Sequence, residues 1–392
     1  MKKLISIILI VTMLLSTILL AIPANALEFV GDAIENWVGT LGEINAEGAQ
    51  NSTTKPVAGV PEGYTQKSYK EKLKSEGYIA VGTGEGKVAF ASMAAGNKYY
   101  LDEDITVTAQ KGWMSGAPFE LDGCGHTINY TGSNALFSGS DSAITIKNLN
   151  LKGTITYTEP ADPEKRTHTS GLVQHGNNGT STVENVVVDV AITVNGISAS
   201  VAGIWGKTNS ATITFTNVHF VGSLTVNGNI NDGGYGGVGG FIGKNENGVA
   251  TFTNCTNTAN IAVNGLCNVK GIGGFIGTSI HATNFTNCVN SGNITLNEPS
   301  GDWIGDNAAA KVGGFVGYIA EADGTIKLNG CENRGTVSIL NRTRGGSTTA
   351  GGFLGNGING VVSEFTNCIN SGAVNVEATL NTERIGGFVG EI

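Results

Sequence analysis

Charge is scarce in this chain: Asp, Glu, Lys and Arg make up 14% of its 392 residues, against about a quarter in an ordinary soluble domain. Proline occurs seven times, histidine five times, and aromatic residues supply 7%. With 23 basic against 32 acidic side chains the net charge is −9. So little basic charge argues against a nucleic-acid or anionic-membrane partner, because nothing is available to neutralise phosphates. Beyond residue 26 no apolar run is long enough to span a bilayer. HExxH, GxSxG and P-loop motifs are also missing, which removes the sequence signals of zinc hydrolysis, a nucleophile elbow and nucleotide binding. Glycine, by contrast, is abundant: 59 residues, about twice the usual share. It shows no triplet period, which excludes collagen, and 40% hydrophobic content excludes wholesale disorder.

The N-terminus has its own composition. Lys2 and Lys3 precede an apolar run over residues 4–22, then Pro23 and the small-residue stretch Ala24, Asn25, Ala26. This is the layout of a secretory signal cleaved after Ala26, and it implies a secreted or cell-surface chain. An uncleaved N-terminal anchor is the alternative, since the run approaches spanning length.

From Ala135 onward the chain resembles itself. GGFIG begins at Gly239 and Gly273, GGFVG at Gly313 and Gly386, GGFLG at Gly351, with AGIWG at Ala202 and SGLVQ at Ser170 as weaker copies. A second block contains Phe215, Phe252, Phe285, Leu328 and Phe365, with Ile146 and Val183 in degenerate forms. Its fourth residue forms the column Leu149, Val186, Val218, Cys255, Cys288, Cys331, Cys368. Six residues after each comes Ile155, Ile192, Leu224, Ile261, Ile294, Val337 or Val374, and two further on another apolar residue. Leu149 to Cys368 takes six steps of about 36 residues each.

Invariant offsets with apolar residues two apart are the period of half-buried strands. Three short β-like runs per repeat, with no room for a crossover helix, predict an all-β fold in which each coil stacks in parallel on the next. The expected architecture is a parallel β-helix, a β-solenoid of about 36-residue three-strand coils. A propeller blade of similar period needs four antiparallel strands, which the columns do not supply. The predicted domains are a signal at residues 1–26, a linker and cap region at 27–85, and the repeat domain at 86–392. Within the cap region QKSYKEKLKSEG, residues 66–77, reads as a short charged helix covering the first coil. The last glycine block lacks the strands that should follow it, so the reading expects a truncated array or a final rung completed by another chain, open to self-association.

Just before the Leu149 to Cys368 column stand Asn148, Asn185, Asn217, Asn254, Asn287 and Asn367, with Gly330 as the one replacement. Asparagine and glycine share tolerance of left-handed backbone angles, so this position reads as a bend whose amides could stack as a ladder.

Residues 98–128, KYYLDEDITV through APFELDGCGHTI, resemble the opening turns of secreted right-handed parallel β-helix proteins of the pectin-lyase-like superfamily. The GGFVG and FTNCxNSG blocks resemble the GLUG-type repeats of large bacterial surface proteins, with Phe or Trp where that pattern has Leu. Together the resemblance covers about residues 86–392 and implies an elongated extracellular scaffold. That superfamily hosts polysaccharide lyases, hydrolases, adhesins and stalks, so the fold alone does not choose. The Asn-Thr-Asp and Gly-His-Gly groups of its hydrolases and the calcium-binding aspartates of its lyases are missing.

Six cysteines in an exported chain invite disulfides. Four of them replace Leu and Val in a core column, which predicts stacked buried thiols instead. Cys124 and Cys267 lie outside the column. His126, His168, His175, His219 and His281 are scattered without metal-ligand spacing, and Asp102, Glu103 and Asp104 read as solvated charge. No catalytic residue, metal ligand or cofactor is assigned. Insertions concentrate between the Ile155-type column and the next glycine block, at one corner of the coil. That corner holds Tyr235, Trp303, Arg342 and Arg344, the candidate ligand-binding edge, with an extracellular glycan or a cell-surface protein as the expected partner. The expected function is a non-catalytic stalk or adhesin. A polysaccharide lyase or glycoside hydrolase on the same scaffold and a passive spacer for a downstream module are the alternatives.

Overall fold

A computed structural model describes residues 55–158, 167–228, 230, 236–264, 271–298, 310–321, 324–342, 347–358, 361–378 and 383–392. The signal segment therefore lies outside the described residues. The elements below belong to the compact unit Pro56–Ile392.

The repeat winds as a parallel β-solenoid, with coil lengths from 32 residues (Val173 to Trp205) to 43 (Phe285 to Leu328). One coil shows how the sequence does this. Gly271–Gly273 is followed by Ile276–Ser279, Thr283–Thr286, Val289–Asn290 and Ile294–Asn297. Each pairs in parallel with its counterpart in the coils before and after. Five short strands thus stand where three runs were expected. Two local causes account for the difference. Asn287, at φ 53°, splits one run in two, and the glycines ahead of the Phe add a strand to a separate six-stranded sheet.

The glycine block owes its composition to that second sheet. A Cβ on Gly273 would lie 2.1 Å from the Ile276 carbonyl oxygen, and one on Gly277 would lie 2.3 Å from the Val238 nitrogen. Backbone packs directly on backbone there, and any larger residue would force the two layers apart.

The predicted columns are the interior. Leu149 pairs with Val186 and Val186 with Val218, while Ile155, Ile192, Leu224, Ile261, Ile294, Val337 and Val374 follow each other in register. Phe241, Phe275, Phe315, Phe353 and Phe388 stack with ring centroids 4.6, 4.7, 4.9 and 5.2 Å apart. A second stack, Phe215, Phe252 and Phe285, lies edge-on to the first, with Phe252 5.6 Å from Phe275. Offset stacks joined by edge-to-face contacts satisfy the ring quadrupoles while removing large apolar surfaces from water.

The expected helix spans Gln66–Ser75 and is capped by Thr65, whose side chain and that of Ser68 bond reciprocally to backbone N–H groups. It buries Tyr69 and Leu73 against Tyr100 and Cys124. The helix lies along the flank of several rungs, because its side chains reach Asp102, Asp122 and Asn148 in successive coils. The strand Ile79–Val81 already pairs with Tyr99 to Leu101, ahead of residue 86. At the other end the large apolar residues Val362, Ile369, Ile385, Phe388 and Ile392 are exposed.

Candidate functional site

Of the expected ligand edge, Tyr235, Trp303 and Arg344 lie outside the described residues. Arg342 ends the strand Val337–Arg342 and is partnered by Ala378 after a register irregularity beyond Ile339. Beside that corner runs an outward row of asparagines that the sequence reading did not single out. Asn227 donates to Asn195 at 2.9 Å, Asn264 to Asn227 at 3.2 Å and Asn341 to Asn297 at 2.8 Å. Asn195, Asn227, Asn264 and Asn297 directly follow Val194, Val226, Val263 and Leu296, the signal by which the row could have been found, while Asn341 stands one residue further from Ile339.

The bend row is present as expected. Asn148, Asn185, Asn217, Asn254, Asn287 and Asn367 have φ between 51° and 54°, and Gly330 has φ 64°. Asn185 donates its amide to Asn148 at 2.8 Å and Asn217 to Asn185 at 3.1 Å. His219 then closes the run of amides. Its Nε2 lies 3.1 Å from Asn217 Oδ1 and its Nδ1 2.7 Å from Thr256 Oγ1. Burial lowers the imidazole's proton affinity.

A further amide row runs inside the core. Asn257 donates to Asn290, Asn290 to Asn333 and Asn333 to Asn370, each at 2.8 Å. The same nitrogens reach the carbonyls of Ala259, Gly292, Gly335 and Gly372. In earlier coils this position is Leu151, Val188 and Phe220. A stack of amides satisfies itself as well as an apolar column does, provided every member is paired.

Cys124, Cys255, Cys288, Cys331 and Cys368 are free thiols, the first four buried. Cys255 and Cys288 donate to the Thr253 and Thr286 carbonyls at 3.3 and 3.4 Å. Burial pushes the Cys288 thiol well above its ordinary range, and contact with Cys288 followed by burial does the same to Cys331. Cys267 lies outside the described residues.

The histidines are less scattered in space than in sequence. His168 and His175 rings are 5.3 Å apart, Trp113 lies 5.8 Å from His175, and His168 Nδ1 is 2.6 Å from Ser200 Oγ. His126 sits 2.9 Å from Asp104, and His281 3.4 Å from Asn247. Among the described residues no three His, Cys, Asp or Glu side chains converge as metal ligands.

The acidic trio proves to be partnered where solvated charge was expected. Lys87 lies 2.8 Å from Asp102 and 3.3 Å from Glu103, and Lys70 lies 3.2 Å from Asp102. A bond from the Thr127 N–H, then the contact with His126, lowers the Asp104 carboxyl against the opposing effect of burial. Below them Asp122 is buried and accepts from Tyr69 at 2.7 Å, Asn148 at 2.9 Å and the Cys124 N–H at 2.8 Å. Burial outweighs these bonds and raises its carboxyl above the usual range.

Among the described residues no helix is long and apolar enough to cross a membrane. No family model, no curated protein and no solved structure matches this chain.

Proposed function

We propose that the chain is a non-catalytic extracellular repeat scaffold, acting as a surface stalk or adhesin of the kind its GGFVG and FTNC blocks resemble. The observation that carries this reading is the continuity of the interior. Aromatic, thiol and amide rows pass from coil to coil in register, the construction of a stiff quasi-one-dimensional body. The signal-like N-terminus supports export, and the corner carrying Tyr235, Trp303, Arg342 and Arg344 supports contact with a glycan or a cell-surface protein.

The test is to incubate the purified chain with a panel of acidic and neutral polysaccharides, measuring both retention and the release of reducing ends. Retention without new reducing ends is the expected result. Unsaturated or newly reducing products would replace the scaffold with a polysaccharide-active enzyme.

A further inference from the structure

Asparagine followed by glycine is a chemically labile pair, because a residue with no Cβ leaves its backbone nitrogen open to the preceding side chain. The chain holds eight such pairs. The fold ties down most of those it describes. Gly179 and Gly357 are strand residues in register with Ala211 and Ile319, and the Gly330 N–H donates to the Thr366 carbonyl at 2.9 Å. Gly196 is buried, and Gly228 packs on it so closely that a Cβ there would lie 2.1 Å from the Gly196 carbonyl oxygen.

The pair Asn247 and Gly248 differs. It lies in the short connection between the strands Ile242–Asn245 and Ala250–Thr253, and Asn247 is exposed. The Gly248 N–H has no hydrogen-bond partner among the described residues. The connection is nevertheless held at both ends. The Glu246 N–H donates to the Thr208 carbonyl at 3.0 Å, the Ala250 N–H to the Ala282 carbonyl at 3.2 Å, and Asn245 Nδ2 to the Gly248 carbonyl at 3.0 Å. Neighbouring coils then grip the Asn247 side chain. Its Nδ2 donates to Asn209 Oδ1 at 3.1 Å, and His281 Nε2 lies 3.4 Å from its Oδ1. An amide oxygen only accepts, so this imidazole nitrogen presents its proton to it.

We infer that Asn247 with Gly248 is a self-modification site, at which the side-chain amide is lost through a cyclic imide with the assistance of His281. The Gly248 nitrogen attacks Asn247 Cγ, and its proton passes through water to Nδ2, which leaves as ammonia. Water then opens the imide at either carbonyl, giving aspartate or isoaspartate at position 247. The His281 Nε2–H faces the oxygen that becomes negative during the attack, and the long contact tightens as that charge develops. The product places a carboxylate beside Glu246 and opposite His281, and it deprives Asn209 Oδ1 of its donor. A neutral amide row thus acquires a permanent charge that accumulates with the age of the molecule.

The test is to keep the intact chain in neutral buffer at physiological temperature for several weeks. Peptides are then mapped by mass spectrometry with electron-based fragmentation, which separates aspartate from isoaspartate. Conversion at Asn247 at least tenfold faster than at Asn178, Asn195, Asn227, Asn329 or Asn356 is the expected result. Gly248→Ala should slow it at least tenfold, and since Gly248 is not among the left-handed glycines, alanine keeps the backbone. His281→Ala should slow it at least threefold while leaving the circular dichroism spectrum unchanged. No conversion at Asn247, equal conversion at all six pairs, or a rate indifferent to His281→Ala each overturns the inference. Any of these outcomes leaves the scaffold reading standing, because that reading rests on the interior rows.

Discussion

Asn290 donates its side-chain amide to Asn333 at 2.8 Å in the interior of the coil, where both residues have 0% exposure. Asn290 also accepts from Asn257, so removing one member strands its neighbours. Asn290→Val should cost about 2–4 kcal/mol, the combined effect of unpaired buried amide groups and a freed Gly292 carbonyl. Replacing Asn257, Asn290, Asn333 and Asn370 together by valine should cost far less than four such losses, because no amide is then left without a partner. Urea unfolding midpoints of the single and fourfold variants decide this, and strictly additive losses would contradict a cooperative row.

The aromatic stacks make a graded prediction. Phe275 is fully buried between Phe241 and Phe315, so Phe275→Ala should destabilise by about 3–5 kcal/mol. Phe388 is 40% exposed and touches Phe353 on one side. Phe388→Ala should therefore cost less than half as much, read as the shift in thermal midpoint. Equal losses would mean that the last coil is packed as tightly as the middle.

Thiol reactivity should follow position in the row. With Cys267→Ser as background, Cys368, only partly buried, should react first with an aromatic disulfide reagent under native conditions. Cys255, Cys288 and Cys331 are buried and should wait for unfolding. Burial pushes Cys124 up to about 12, so it too should be silent in the native chain. Fast native modification of Cys288 would sink this order.

The anchorage of Gln66–Ser75 should depend on pH through Asp122. Its carboxyl is raised by burial, so the folded state favours the neutral form. That contribution is fully present below the unfolded carboxyl value of about 3.9 and is lost as pH rises through the raised folded value. Asp102, Glu103 and Asp104 are lowered and act oppositely, losing their contribution as pH falls through their folded values. Hydrogen exchange of the helix in the native chain and in Asp122→Asn separates the two. The variant should lose the weakening on raising pH and keep the weakening in acid.

Much of the fold was legible because it repeats. The bend was readable at Asn148 and Asn185 because a left-handed backbone angle is a local property of asparagine and glycine. The buried thiols were readable because Cys255 stands where Val218 and Leu149 stood. Asn257 was legible in principle, two residues after Cys255 and so on the same side of the strand. Its polarity suggested the surface, and only the stacking partner one coil away makes burial tolerable. The ligand edge was placed by insertion length, and three of its four residues lie outside the described structure.

Sequence by itself determined the coil: period, apolar columns, bend position and the requirement for glycine, all consequences of chain geometry repeated at constant spacing. Tertiary structure decided which polar residues are interior, that the glycine block forms a second sheet, and that the helix lies along the flank. These depend on partners 30 or more residues away, such as the 37 between Asn148 and Asn185. A side chain's own preferences cannot encode whether such a partner will satisfy it.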